Sequence, residues 1–286
     1  MSKPLVSIIT PTYNSDAFLK RTMESVLQQS YEPLEYLIVD GGSKDSTLEI
    51  ARGFADSRVR IVSEADSGIS DAMNKGIRMA QGEIIGIIHS DDHYTEDAIA
   101  VSVQSILESG RPWSYGRIEY LNHHGNYLYT AGQDYSFDKL RKFMVITHPS
   151  MFVKKVMYEK YGLFDLRYKV AMDYDLCLRF AMQEEPIYVP HVLARMRYGG
   201  TSSRDLKAEL RAAKEVYQIK MEHFGEEKFS NFSYFSWTVS KFALRNLVEN
   251  LPGGRTWIAM TRGFLNPSFI DVEKKNFSAH RENRPL

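Results

Sequence analysis

An open α/β sheet, mainly parallel and flanked by helices, is the fold class this sequence predicts. Three observations carry it. Short β-branched runs alternate with helix-period stretches through the first 110 residues, each run stops at a polar or glycine-containing turn, and no apolar stretch approaches the roughly 20 residues a membrane-spanning helix needs.

In chain order, "LVSIIT" (5–10) is the first strand. Leu19, Met23, Val26 and Leu27 then share one face of a helix that Ser15 or Asp16 can cap. "EYLIVD" (35–40) is the second strand, followed beyond Gly41 and Gly42 by a helix over 46–52. "RVRIVS" (58–63) is the third, and the spacing predicts a helix over 70–81, closed by Gly82. "EIIGIIH" (83–89) is the fourth. Strands alternating with helices make βαβ units, hence a parallel sheet. Residues 111–153, rich in aromatic and turn residues, predict short antiparallel strands. Helices follow over 173–182, 204–223 and 233–249, the last stopped by Pro252 and two glycines.

The composition excludes several classes. Hydrophobic residues at 43% and charged residues at 25% describe a globular chain, and 36 basic against 36 acidic side chains give no field that would recruit nucleic acid. Residues 201–286 hold 14 basic and 10 acidic residues, so the tail end is mildly basic. One cysteine, Cys177, allows no internal disulfide and no cysteine-based zinc cluster. Together with an N-terminus lacking a signal pattern, this predicts a cytoplasmic protein.

Ligands of such a sheet bind at the carboxyl ends of its strands. There the sequence places "TPTYN" (10–14), "DGGSKDS" (40–46), "SEADSG" (63–68) and "HSDD" (89–92). Asp91 and Asp92 repel each other and resist burial, which a Mg2+ or Mn2+ ion shared with a diphosphate would relieve. Capping of the next helix is an equally good reading of these acids alone. No G-x-G-x-x-G follows the first strand, which excludes a dinucleotide-binding oxidoreductase, and the Gly-rich basic loop of a nucleotidyltransferase is missing too.

Four blocks decide between these readings. "VSIITPTYNS", "SVLQQSYEPLEYLIVDGGSKDST", "DSGISDAMNKGIRMAQGEIIGIIHSDD" and "AMDYDLCLRF", in this order, resemble the family 2 glycosyltransferases of the GT-A fold, over residues 4 to about 203. The resemblance implies a GT-A catalytic domain over 1–203, with a nucleotide-binding half (1–110) and an acceptor half (111–203), and a helical C-terminal extension over 204–286. It implies an inverting enzyme that takes a nucleotide-sugar donor, most often a UDP-sugar, and a glycan or lipid-linked acceptor of the bacterial surface-polysaccharide type. Thr10, Pro11 and Tyr13 match the nucleoside-cradling turn, Asp40 and Asp66 match acids that contact base or ribose, and Asn74 and Lys75 match the helix lining the nucleotide. For Asp40 an Asx turn before Gly41 is the structural alternative.

"HSDD" matches the family's Asp-x-Asp element, with Asp91 as metal ligand, Ser90 beside it, and His89 in the place of the first acid. Tyr198 stands where some relatives carry a metal-binding histidine, so the divalent metal (Mn2+ or Mg2+) is expected to arrive with the nucleotide. The loop Gly199–Ser202 can offer N–H groups to the diphosphate. Asp173 matches the general base, although Met172 replaces the Glu that often precedes it; partial burial would raise the carboxyl's pKa as the role requires. A helix cap is the alternative for Asp173, and a catalytically impaired sugar-nucleotide-binding protein is the alternative for the whole chain. His148 is expected to line the acceptor site or to be structural, His123 and His124 to form a turn, and Trp113 and Tyr115 to pack in the core. The stripe Phe232, Phe235, Val239 and Phe242, with Lys241, Arg245, Arg255 and Arg262, suits packing or a homodimer, or peripheral contact with the inner membrane face.

Overall fold

The computed structural model describes residues 3–122, 124–197 and 206–225. The chain begins with β1 (Val6–Thr12), α1 (Leu19–Leu27), β2 (Leu34–Asp40), α2 (Thr47–Arg52), β3 (Val59–Ser63), α3 (Ile69–Met79) and β4 (Ile84–Ile87). Then come β5 (His93–Tyr94), α4 (Ala98–Ser109), β6 (Trp113–Leu121), β7 (Tyr127–Ala131), α5 (Phe137–Lys142), a 3-10 turn (His148–Ser150), β8 (Phe152–Lys154) and α6 (Lys155–Tyr161). The last described elements are α7 (Met172–Ala181), β9 (Ile187–Arg197) and α8 (Leu206–Phe224).

The strands form a single mixed sheet in the order β3-β2-β1-β4-β8-β6-β9-β5, with β7 paired to β6. β1 pairs in parallel with both β2 and β4, β2 with β3 and β6 with β9, while β8 runs antiparallel between β4 and β6. Side-chain alternation then fills two cores. Val6, Ile8, Tyr36, Ile38 and Ile84 pack with Leu19, Met23 and Ile99 on one face. Ile9, Leu37, Val39, Ile85 and Ile87 pack with Met73, Leu176, Phe180 and Ile219 on the other. Burying each such side chain contributes roughly 1.5–3 kcal/mol.

Several element boundaries differ from the sequence reading, and at three of them the local reason is plain. β1 continues through Pro11 to Thr12, because its register with β4 ends at Ile9 and Pro11 faces only β2. α1 starts at Leu19 and not at a Ser15 or Asp16 cap: the N–H groups of Phe18 and Leu19 donate to the Ser15 carbonyl in a turn leading into the helix. α3 ends at Ala80 in an extended conformation, and Gly82 instead serves close packing, since a Cβ there would stand 2.6 Å from Ser7 N. The helix expected over 233–249, its amphipathic stripe, His123, Tyr198 and the loop Gly199–Ser202 lie outside the described residues.

Candidate active site

From β1 the chain steps outward to β2 and β3, then returns to the opposite side of β1 as β4. The ends of β1 and β4 therefore flank the switch point where a sheet of this kind takes its ligand. The loops after β1 and β2 are fastened to each other: Asn14 N–H donates to Ser43 Oγ at 2.8 Å, Lys44 N–H to Asn14 Oδ1 at 2.9 Å and Ser15 N–H to Thr47 Oγ1 at 2.7 Å. Asn14 adopts φ 48°, a left-handed conformation that Asn tolerates better than most residues. From this turn Tyr13 projects into solvent, 61% exposed, where it is free to meet a ligand. Thr10 and Pro11 do not share that position. Both are buried in β1, and Thr10 Oγ1 lies 3.0 Å from the Tyr36 hydroxyl inside the sheet.

Asp40 is fully buried at the end of β2. Its carboxylate accepts from Gly42 N–H at 3.0 Å, Ser43 N–H at 3.1 Å, Ser63 Oγ at 2.6 Å and Ser43 Oγ. This is the Asx turn the sequence offers, and it commits Asp40 to shaping the loop. Asp66 accepts from Gly68 N–H at 2.8 Å and overhangs Gly41, where any Cβ would collide with its carboxylate. Lys75 anchors the Asp66 loop from α3, donating to the Ala65 carbonyl at 2.9 Å and pairing with Glu64 at 2.9 Å. Asn74, expected at the nucleotide, is buried and committed elsewhere. Its Nδ2 donates to Phe164 O at 2.8 Å and its Oδ1 accepts from Phe164 N–H at 2.9 Å, which makes it a fastener between α3 and the loop before α7.

The two acids after β4 have separate fates. Asp92 turns inward, accepts from Arg197 N–H at 3.1 Å, and is pushed well above the carboxylate range by burial and by Asp91. Asp91 stays half-buried, and among the described residues no hydrogen bond or ion pair engages its carboxylate. Burial disfavours a charge on Asp92, which eases the repulsion that made the pair conspicuous. Beside them, Ser90 Oγ donates to Ser15 Oγ at 2.8 Å. Burial lowers the pKa of His89 against the opposing pull of Asp91. Its ring lies 5.6 Å from that of His148, which burial and His89 push down to about 3, and His148 in turn packs edge-on against Phe164 at 5.7 Å. Among the described residues no group of three His, Cys, Asp or Glu is arranged to hold a metal.

The His89–His148–Phe164 stack leads from the end of β4 to the loop preceding α7. Asp173 lies in the first turn of that helix, one residue inside it, so it is not the cap; Ala171 occupies that position. Protein encloses the carboxyl group although part of the residue reaches solvent, and burial raises its pKa to about 6 against the backbone N–H groups of Tyr174 and Asp173 that favour the anion. Asp175 faces elsewhere, bound to Arg179 at 2.9 Å and His223 at 3.0 Å. Lys169 Nζ donates to Ser67 O at 3.2 Å, tying the loop before Asp173 to the one carrying Asp66.

Residues 7–167, more than half of the chain, match the model of glycosyl transferase family 2. The chain belongs to that family. As a family 2 glycosyltransferase it is 31% identical over 211 residues to an uncharacterized glycosyltransferase of Mycobacterium tuberculosis, covering 71% of this chain and 78% of the relative. A PGL/p-HBAD biosynthesis glycosyltransferase of Mycobacterium bovis is 31% identical over 182 residues, 63% of this chain and 70% of the relative. Among solved structures, Staphylococcus aureus TarS 1–349 in complex with UDP-GlcNAc superposes with a TM-score of 0.60 at 15% identity, covering 82% of this chain and 71% of that one. The mannosyltransferase PcManGT from Pyrobaculum calidifontis, in complex with GDP-Man and Mn2+, gives 0.59 at 18%, covering 94% and 83%. These two likenesses establish the shared GT-A-like fold.

Two features of the site are not in the sequence reading. Arg197, at the end of β9, places its guanidinium 4.1 Å over the Phe18 ring and its N–H on Asp92. Glu215 of α8, buried, accepts three backbone N–H groups from residues 169–171. No periodicity or motif marks either one.

Proposed function

We propose that this glycosyltransferase moves a sugar, with inversion, from a UDP-sugar to a hydroxyl of a glycan or lipid-linked saccharide, with Asp173 as general base. The observation that carries the reading is a carboxyl group enclosed at the start of α7 and raised to about 6, in a segment fastened to the Asp66 loop. The acceptor oxygen attacks C1 of the donor sugar while its proton passes to the Asp173 carboxylate. The bond from C1 to the diphosphate oxygen breaks, and the nucleoside diphosphate leaves with the electron pair. A base placed this way contributes about 10²- to 10⁴-fold. Tyr13 and Asp66 are the groups left to contact the nucleoside, with Asp40 and Lys75 shaping the loops.

Asp91 fits a divalent ion, because it is half-buried just beyond β4 and its carboxylate is unengaged among the described residues. Mn2+ or Mg2+ held by this one carboxylate and the donor's own phosphate oxygens would neutralise charge on the leaving diphosphate. The UDP-GlcNAc in the TarS complex and the GDP-Man in the PcManGT complex support a nucleotide-sugar donor, and the Mn2+ of the latter supports a divalent metal. His89 favours a second reading, a catalytically impaired sugar-nucleotide-binding protein, since a neutral imidazole replaces an acid there. A lipid-linked acceptor would place the enzyme at the inner membrane face.

Calorimetric titration with UDP, GDP and NAD, each with and without Mn2+, tests the donor assignment. Selective UDP binding that Mn2+ strengthens is expected. Absence of UDP binding under both conditions overturns the donor class, and binding without turnover of any sugar nucleotide favours the impaired protein.

A further inference from the structure

We infer that Glu215 is a positioning residue for Asp173, which makes α8, the first helix of the C-terminal extension, part of the catalytic machinery. The inference rests on Asp173 being the base. A helix start leaves N–H groups without intrahelical partners, and the cap of α7 is Ala171, whose side chain cannot serve them. Glu215 serves the segment instead. Its Oε1 accepts from Lys169 N–H at 3.0 Å, and its Oε2 from Val170 N–H at 2.8 Å and Ala171 N–H at 2.9 Å. Three consecutive amides converge on one buried carboxylate, at the positive end of the α7 dipole. Asp173 follows two residues later.

Glu215 can fix that segment because α8 is itself fixed. Ile219 is fully buried in the same core as Leu176 and Phe180 of α7. His223 Nε2 lies 3.0 Å from Asp175 Oδ1, and Arg167 makes two hydrogen bonds to Glu222, both at 3.0 Å. Arg167, Lys169, Arg211 and Lys214 line a cleft of about 420 Å³ with Glu215, and on α7 the buried Cys177 is the titratable group on which the Asp173 charge acts. A displacement near 1 Å at a reacting group costs about 10²-fold in rate. Without Glu215 the three amides need water, which loosens the start of α7 and rehydrates Asp173.

The test uses the full chain and reads UDP release from a UDP-sugar with water as acceptor, UDP affinity, and the pH-rate profile. Glu215→Ala is expected to lower kcat by about 10- to 100-fold, to leave UDP affinity within about threefold, and to move the acidic limb below 6. Glu215→Gln keeps one acceptor oxygen but turns an NH2 towards the amides, so a smaller loss in the same direction is expected; it takes the place of Glu215→Ala if that variant does not fold. Ile106→Ala, in α4 and in the core on the other face of the sheet, touches neither α8 nor the amides and is expected to keep kcat and the limb at a comparable drop in Tm. Wild-type kcat and limb in the Glu215 variants, or equal losses in Ile106→Ala, overturn the inference. Should Asp173→Asn retain turnover, it is the base assignment that fails instead.

Discussion

Around the ends of β2 and β3, acids are held from close by: Asp40 by residues 42 and 43 of the loop it opens and by Ser63 at the end of β3, and Asp66 by Gly68. At the start of α7, the segment bearing Asp173 is held from far away in the chain, by Glu215 on residues 169–171 and by Asn74 on Phe164. Asp40 has its carboxylate saturated, whereas Asp173 receives only backbone N–H groups at its own helix start and is raised by burial. The difference separates acids that shape the site from an acid left with something to do. Saturation fixes a charge in place, and incomplete saturation in a dry setting keeps a carboxyl near the pKa a base needs.

The largest expected effect tests that separation. Asp173→Asn should lower initial transfer rates by about 10²- to 10⁴-fold while calorimetric UDP affinity stays within a few-fold. Asp40→Ala should do the reverse. Leaving its donors unpaired costs about 1–3 kcal/mol of unfolding free energy in urea, and UDP affinity should fall, while the acidic limb of the rate profile stays put.

The same contrast predicts a pH-dependent stability. Burial raises the Asp173 carboxyl to about 6 from the ordinary value of 3.8. Its contribution to stability is present below the ordinary value and is lost as pH rises through 6, because the unfolded chain then holds the charge more easily. Asp173→Asn should therefore be the more stable protein at pH 8, by up to about 3 kcal/mol, and the advantage should vanish below pH 4. Paired thermal melts at the two pH values check it. The smallest effect is at Asp91, where Asp91→Ala should remove the Mn2+-dependent part of UDP affinity, about tenfold or 1.4 kcal/mol, with metal-free affinity unchanged.

How much of this is legible in the sequence follows the same division. The loops after β1, β2 and β3 are written locally. Asp40 followed by two glycines spells an Asx turn, the strand and helix periods give the sheet, and the position of Asp91 follows from where β4 stops. Which of the adjacent acids turns inward is not legible, since that depends on Arg197 arriving from β9. The family resemblance implies Thr10 and Pro11 in a ligand turn, yet β1 needs no N–H on its β4 side at that point and runs on. Glu215 and Asn74 act across some 45 and 90 residues, and a single polar residue in an amphipathic helix carries no mark of such a contact.

The measurement that bears most directly on the role of Asp173 is the pH dependence of kcat for the wild-type enzyme beside Asp173→Asn. An acidic limb near pH 6 in the wild type, with the rate rising as the carboxyl loses its proton, and near-complete loss of turnover in the variant, is the predicted result. Turnover by Asp173→Asn within tenfold of wild type, with the same limb, would contradict it.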